Sequence, residues 1–186
     1  MDRLSFPHEV VYTEKEGDAR RFTQEAVRGG EPVRIYACGG DGTLNEVVNG
    51  AAGHGHAAIT NVPKGTGNDF LKIFGPDYRK LFYDLEGLAV GPQTAFDLID
   101  CNGHLGIDVV CAGVDARIAA GVHRYKDWWF VSGIGASILA LMENVFFKGI
   151  ARPVTVRMGE VRWEDRPASL LCVCNGRYYG GGFMPV

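Results

Sequence analysis

Apolar positions along the chain follow two regimes. Up to about residue 90, short apolar runs alternate with stretches of helical period; beyond it, extended runs dominate. His8 to Thr13 predicts a short strand, with a charged turn at Glu14-Lys15-Glu16-Gly17. Asp18 is placed to cap a helix that carries Phe22, Ala26 and Val27 inward and is closed by Gly29-Gly30. Pro32 opens a strand over Val33 to Cys38, and Leu44, Val47, Val48 and Ala51 then recur at helical spacing, closed by Gly50 and Gly53. Ala57 to Val62 reads as the next strand, followed by a short helix holding Phe70, Leu71, Ile73 and Phe74. Such alternation predicts an α/β domain with a parallel sheet covered on both faces.

The second regime starts near Pro92. Strands are expected at Thr94 to Cys101 and Leu105 to Cys111, then a helix from Asp115 through Tyr125. Pro153 to Met158 and Ala168 to Cys174 read as a strand pair with Gly159-Glu160 near its turn. The predicted organisation is an α/β domain over 1–91 and an incomplete, mostly β domain over 92–186. From Trp128 to Phe147 the chain runs 20 residues with one formal charge, Glu143, long enough to cross a bilayer. Its serines, glycines and asparagine, and the helical spacing of Ile134, Ile138, Leu141, Met142 and Val145, favour a buried helix over a span.

Two glycine-rich stretches each follow a predicted strand and open a predicted helix. The first is Gly39-Gly40-Asp41-Gly42-Thr43, and the second is Gly65-Thr66-Gly67-Asn68-Asp69, preceded by Pro63-Lys64. Backbone nearly free of Cβ atoms can turn its N–H groups onto a phosphate, and a helix N-terminus adds the positive end of a dipole. Thr43-Leu44-Asn45-Glu46 reads as a capping box, Thr43 and Glu46 each taking the other's N–H. Asp41 fits beside phosphate only if a Mg²⁺ bridges the two or a sugar hydroxyl donates to it. A second reading keeps the five residues as a plain turn with Asp41 as a local cap. In a parallel sheet both loops reach the same edge, which makes the pair far more specific than either alone. Neither is a Walker A loop or a Rossmann fingerprint.

Composition changes the picture little. Of 186 residues, 46% are hydrophobic and 22% charged, as in an ordinary globular protein, and a net charge of −3 argues against a basic face for nucleic acid. Five cysteines make no even disulfide framework, which favours a reduced, cytoplasmic setting, and nothing at the N-terminus resembles a signal peptide. Cys172 and Cys174 share one strand face, where packing is favoured over metal binding because no second ligand pair at zinc spacing accompanies them; His54-Gly55-His56 is read as surface histidines, the commoner role beside a glycine. Arg117, Arg124 and Lys126 before Trp128-Trp129 suit a lipid headgroup interface, although cations snorkelling beside core tryptophans are the favoured reading. Lys64 is read equally as a phosphate-reaching cation and as exposed packing.

Gly39 to Glu46 and Pro63 to Phe70 together resemble the two signature loops of the diacylglycerol kinase catalytic domain family, which includes bacterial lipid kinases and sphingosine kinases. Phe96-Asp97-Leu98 resembles that family's Asp-bearing strand, Gly113-Val114-Asp115-Ala116 its Gly-Phe-Asp-Ala element, and Asn175 to Gly182 its late glycine-rich loop. The first motif has close variants in NAD kinases and phosphofructokinases, so the second does most to discriminate. The resemblance implies a nucleotide-binding α/β domain, a β-sandwich domain and a cleft between them, with ATP and Mg²⁺ as cofactors and a lipid hydroxyl, diacylglycerol-like, as acceptor. It implies nucleotide contacts from Thr13, from Gly39, Gly40, Asp41, Gly42, Thr43, Leu44 and Asn45, and from Gly65, Thr66, Gly67, Asn68 and Asp69. Peripheral membrane association without a transmembrane span, no nucleic-acid partner, and self-association are further expectations. The family's Asn-Pro loop precedes the Thr13 region and its general base and structural Mg²⁺ ligands follow the late loop; both are expected to lie outside these 186 residues. This chain is therefore expected to be inactive alone. The alternatives are an NAD kinase-like enzyme and a non-catalytic nucleotide- or lipid-binding module.

Overall fold

The computed structural model describes residues 4–114, 116–117, 149–178, 180, 182 and 184. They belong to two compact units, one of Met1–Val109 with Cys174–Val186 and one of Val110–Val173. The expected helix from Asp115 to Tyr125 and the apolar stretch Trp128 to Phe147 lie almost wholly outside the described residues. Among those described, no helix is long and apolar enough to cross a membrane.

The first unit runs α1 (Asp18–Val27), β1 (Val33–Gly39), α2 (Asp41–Ala51), β2 (Ala57–Pro63), a 3-10 turn (Phe70–Phe74), α3 (Tyr78–Tyr83), α4 (Leu85–Val90), β3 (Ile99–Cys101) and β4 (His104–Gly106). β1 and β2 pair in parallel from Val33 opposite Ala57 to Gly39 opposite Pro63. That register brings both glycine stretches to the same sheet end, as a parallel pair requires. Leu44, Val47 and Val48 from α2 meet Ala37, Phe70, Leu71, Tyr78 and Phe82 in one core, with Ile35 and Ile59 packed against it. Burying each large apolar side chain contributes about 1.5–3 kcal/mol, so the periodicity that predicted α2 also fixes which face it buries.

α1 and α2 touch through a glycine. A Cβ on Gly50 would lie 2.7 Å from the Arg20 carbonyl oxygen and from Thr23 Cβ, so only glycine lets the two backbones approach this closely. Thr23, not Ala26, is the buried residue on the facing side of α1, and its hydroxyl donates to the Ala19 carbonyl at 2.8 Å. α2 is also tied to β4: Asn49 donates to the Leu105 carbonyl at 2.8 Å and accepts from the Leu105 N–H at 2.9 Å. Arg34 donates to the carbonyls of Leu88 and Gly91, and the Tyr83 hydroxyl to that of Pro63, which fastens α3 and α4 to the sheet. Phe96 packs edge-on to Phe70 at 5.3 Å between ring centroids, supporting the turn that follows the second glycine loop.

His8 to Thr13 forms no strand. The segment is exposed backbone with no ladder partner among the described residues, and alternation alone cannot supply one. The stretch after Pro92 runs without regular structure to β3 and stays within the first unit.

In the second unit β5 (Val109–Gly113) pairs with β8 (Leu170–Cys174), and β6 (Arg152–Met158) pairs antiparallel with β7 (Val161–Ala168). The expected pairing of the segments 153–158 and 168–174 is therefore corrected. Gly159-Glu160 turns the chain into β7, a strand hidden by its charged residues and Pro167, and Ala168 to Cys174 finds a different partner. A register shift between Val154 and Val156 absorbs Asp165, whose φ is 47°.

Candidate nucleotide site

The two glycine loops interlock. A Cβ on Gly65 would overlap the Gly40 Cα, and one on Gly40 would lie 3.2 Å from the Gly65 Cα. A Cβ on Gly39 would overlap the Thr43 side chain, and one on Gly67 would come within 2.7 Å of Asp41 Oδ2. Gly42 alone of the first cluster has open space where its Cβ would stand. The glycines at 39, 40, 65 and 67 thus serve the close approach of loop to loop, and 42 leaves the outer face of the loop clear. Lys64 and Gly65 N–H both donate to the Gly39 carbonyl, at 3.0 and 3.3 Å, which extends the β1–β2 pairing into the loops.

Asp41 is the strap between them. Its carboxylate accepts from Asn68 N–H at 2.8 Å and Asp69 N–H at 2.9 Å. A carboxylate that looked awkward beside phosphate is thus engaged by backbone donors of the second loop. Asn68 is wholly buried with φ 51°, and its amide donates to the Gly65 carbonyl at 2.6 Å, closing that loop on itself. Asp69 is the N-cap of the 3-10 turn but makes no side-chain cap bond, and its carboxylate pairs with Lys72.

α2 begins at Asp41, three residues earlier than the apolar pattern suggested, with Gly40 as its N-cap and no side-chain cap. The expected capping box is not formed. The Glu46 side chain instead reaches across from α2 and accepts the N–H groups of Gly17 at 3.0 Å, Ala19 at 3.1 Å and Arg20 at 3.4 Å, at the start of α1. Gly17, at φ 88°, is the N-cap of α1, and Asp18 lies inside the helix. The Asp18 carboxylate turns back to accept from the N–H groups of Glu14 and Lys15, and the Glu14 bond foremost lowers its pKa. A cavity of about 270 Å³ lies against this segment, lined by Thr13, Lys15, Glu16, Ala19, Thr43 and Glu46 among others.

The structure therefore brings Thr13 and Thr43 to one cavity and joins Gly40 and Asp41 to Gly65, Gly67, Asn68 and Asp69. Thr66 and Asn45 are exposed near them. Leu44 points elsewhere: its side chain is 3% exposed in the core, and its N–H donates to the Gly40 carbonyl. Lys64 lies over the Tyr83 ring, 4.8 Å from ring centroid to Nζ. His54 and His56 bond the carbonyls of Ala52 and Val27. Among the described residues no three His, Cys, Asp or Glu side chains converge to hold a metal ion, so they form no closed ligand set for Mg²⁺.

Motif reasoning missed Asp108. It follows Ile107 in an ordinary-looking apolar run, yet its carboxyl is raised to about 6, by burial first and then by the charges of Asp69 and Asp41, with Lys72 opposing. The Asn175 and Gly176 N–H groups donate to the Asp108 carbonyl at 2.7 and 3.1 Å, and a Cβ on Gly176 would overlap Asp108 Oδ1. Asn175 also donates its amide to the carbonyls of Asp97 and Ile107, so the Asp97 and Asn175 motifs meet.

Comparison with known proteins bears on the family and the fold. Residues 1–101 match the Diacylglycerol kinase catalytic domain family. A Pseudomonas aeruginosa protein named "Probable lipid kinase YegS-like" is 34% identical over 178 residues, covering 94% of this chain and 56% of its own. A protein of the same name from Cronobacter sakazakii is 33% identical over 184 residues, covering 95% and 58%. A crystal structure described as a diacylglycerol kinase from Bacillus anthracis superimposes with a TM-score of 0.63 at 23% identity, over 96% of this chain and 56% of that one, and so shares its fold. The chain thus spans little more than half the length of the relatives it matches. With both glycine loops inside the matched region, the chain belongs to the diacylglycerol kinase catalytic domain family.

Proposed function

We propose that the protein binds ATP at the start of α2 and transfers its γ-phosphoryl group to a lipid hydroxyl, diacylglycerol-like, at a membrane surface. The observation that carries this reading is the first turn of α2. The N–H groups of Asp41, Gly42 and Thr43 lie at a helix N-terminus with no side-chain cap, and Thr43 borders the cavity that Thr13 also lines. Such a terminus favours a multiply charged phosphate through its amide donors and its dipole. In phosphoryl transfer the protein's part is mainly positioning and charge neutralisation. The interlocked loops would supply preorganised donors. Mg²⁺ is expected as the companion of the ATP phosphates, and no side chain here is assigned to it.

The test gives the protein radiolabelled ATP, Mg²⁺ and mixed vesicles containing diacylglycerol, a sphingoid base, phosphatidylglycerol or a polyprenol, with Asp41→Ala in parallel. Label is expected in one lipid once the chain is extended to the length of its relatives, and little or none with the variant, whereas the 186 residues by themselves are expected to bind ATP without transfer. Transfer to NAD or a sugar phosphate instead would replace the lipid reading. No ATP binding by calorimetry would remove the nucleotide reading altogether.

A further inference from the structure

α1 has the same kind of N-terminus as α2, and its first-turn amides would be an equal attraction for phosphate. They are already engaged. Glu46 reaches across from α2 and places its carboxylate on the N–H groups of Gly17, Ala19 and Arg20, where a bound anion would otherwise sit. Both carboxylate oxygens take part: one accepts from Gly17, the other from Ala19 and Arg20. The side that leads into α1 is held as well, because Asp18 accepts the N–H groups of Glu14 and Lys15. Two carboxylates thus grip the 14–20 segment, one from within α1 and one from the helix that follows the glycine loop. Glu46 lies one turn along α2 from Thr43, and both line the cavity that Thr13 and Lys15 line from the other side.

We propose that Glu46 is a positioning residue that fixes the Thr13 to Gly17 segment as one wall of the nucleotide cavity, and that it directs phosphate to α2 by occupying the N-terminus of α1. The proposal rests on the nucleotide reading above. Its physical content is a division of labour between two similar helix ends. The α1 end is neutralised internally by a carboxylate from α2, and the α2 end stays uncapped. Without Glu46, the 8–17 segment has no strand pairing to hold it, since those residues form none. Thr13 would then sample many positions, and ordering it would be charged against ligand binding.

The experiment compares the unsubstituted chain with Glu46→Gln and Glu46→Asp, and with Glu25→Gln as a control on the exposed side of α1. ATP affinity is measured by titration calorimetry, and amide exchange at Gly17, Ala19 and Arg20 by hydrogen–deuterium exchange. Glu46→Gln is expected to raise the ATP Kd about tenfold and speed exchange at those amides; Glu46→Asp should do so less, and Glu25→Gln should leave both unchanged. A double-mutant cycle with Thr13→Val separates positioning from general destabilisation. Loss of the Thr13 hydroxyl should weaken ATP several-fold in the unsubstituted chain and hardly at all beside Glu46→Gln. Additive effects, or unchanged ATP affinity in Glu46→Gln, would overturn the positioning role while leaving ATP binding intact. If Glu46→Gln does not fold, the cycle is run with Glu46→Asp and decides in the same way. No ATP binding by the unsubstituted chain would overturn the nucleotide reading and this proposal with it.

Discussion

Removing the Asp41 carboxylate should separate the two glycine loops, and the cost can be worked from its bonds. Asp41 accepts two N–H groups at 2.8 and 2.9 Å, from residues 0% and 8% exposed. A hydrogen bond to a charged group contributes about 1.5–3 kcal/mol, and a buried N–H left without a partner costs a similar amount. Asp41 itself is solvent-exposed, so water recovers part of the loss. Asp41→Ala should therefore destabilise the chain by about 2–4 kcal/mol, a large share of an ordinary domain's 5–15 kcal/mol. Asp41→Asn keeps one acceptor oxygen and should lose about half as much. Urea unfolding followed by far-ultraviolet circular dichroism measures both, read as a fall in midpoint at constant slope. Amide exchange at Asn68 and Asp69 should quicken in the same order. A loss below about 0.5 kcal/mol for Asp41→Ala, with those two amides still protected, would refute the strap and return Asp41 to a purely ligand-facing role.

Three further outcomes follow from the same geometry. Asp108, with its folded pKa raised from 3.8 to about 6, favours the folded state while protonated, and that advantage is lost as pH rises from 3.8 through about 6. Asp108→Asn should thus be more stable than the parent by about 1–2 kcal/mol at pH 7.5, discounted because the group is only half-buried, and the gain should vanish near pH 4 in paired melts. Gly65→Ala, whose Cβ would overlap Gly40, should cost at least about 2 kcal/mol by chemical denaturation, whereas Gly42→Ala, with open space, should change stability by under about 0.5 kcal/mol. Cys111 Sγ and Cys172 Sγ stand 2.9 Å apart and form no disulfide, so diamide should join these two first, as peptide mapping would show, and Cys172→Ser should block the product.

Much of this was legible along the chain because it depends on local order. The period of Leu44, Val47, Val48 and Ala51 set the buried face of α2, and two apolar runs each ending in glycines implied a parallel pair with both loops at one end. What was hidden depends on residues far apart in sequence. Glu46 looks like the partner of Thr43 because it is three residues away; its actual donors lie 26 to 29 residues earlier. Asp41 looked like a partner for a cation or a sugar hydroxyl, or a local cap, because local spacing gives no sign that Asn68 and Asp69 present their amides to it. β7 was missed since Val161 to Pro167, rich in charge, was left between the two predicted strands, while pairing with β6 needs only backbone groups and tolerates an exposed face. Asp108 carried no motif at all, and its raised pKa arises from burial first and then from the carboxylates of Asp69 and Asp41, all of them set by the fold.

The contact between Gly40 and Gly65 also bears on how this sequence can drift. In most packed pairs an enlargement on one side can be offset by a reduction on the other. Here both partners already lack a Cβ, so neither has anything left to give up. A methyl added to Gly65 cannot be accommodated by substituting Gly40, and only a shift of the loop would make room; one added to Gly40 would stand 3.2 Å from the Gly65 Cα and need the second loop to give by a few tenths of an ångström. Such a pair offers no compensating substitution at its tighter end: a side chain at position 65 is reached only by moving the backbone of the loop that faces it, whereas a misfit in the apolar core can be relieved by trimming a neighbour.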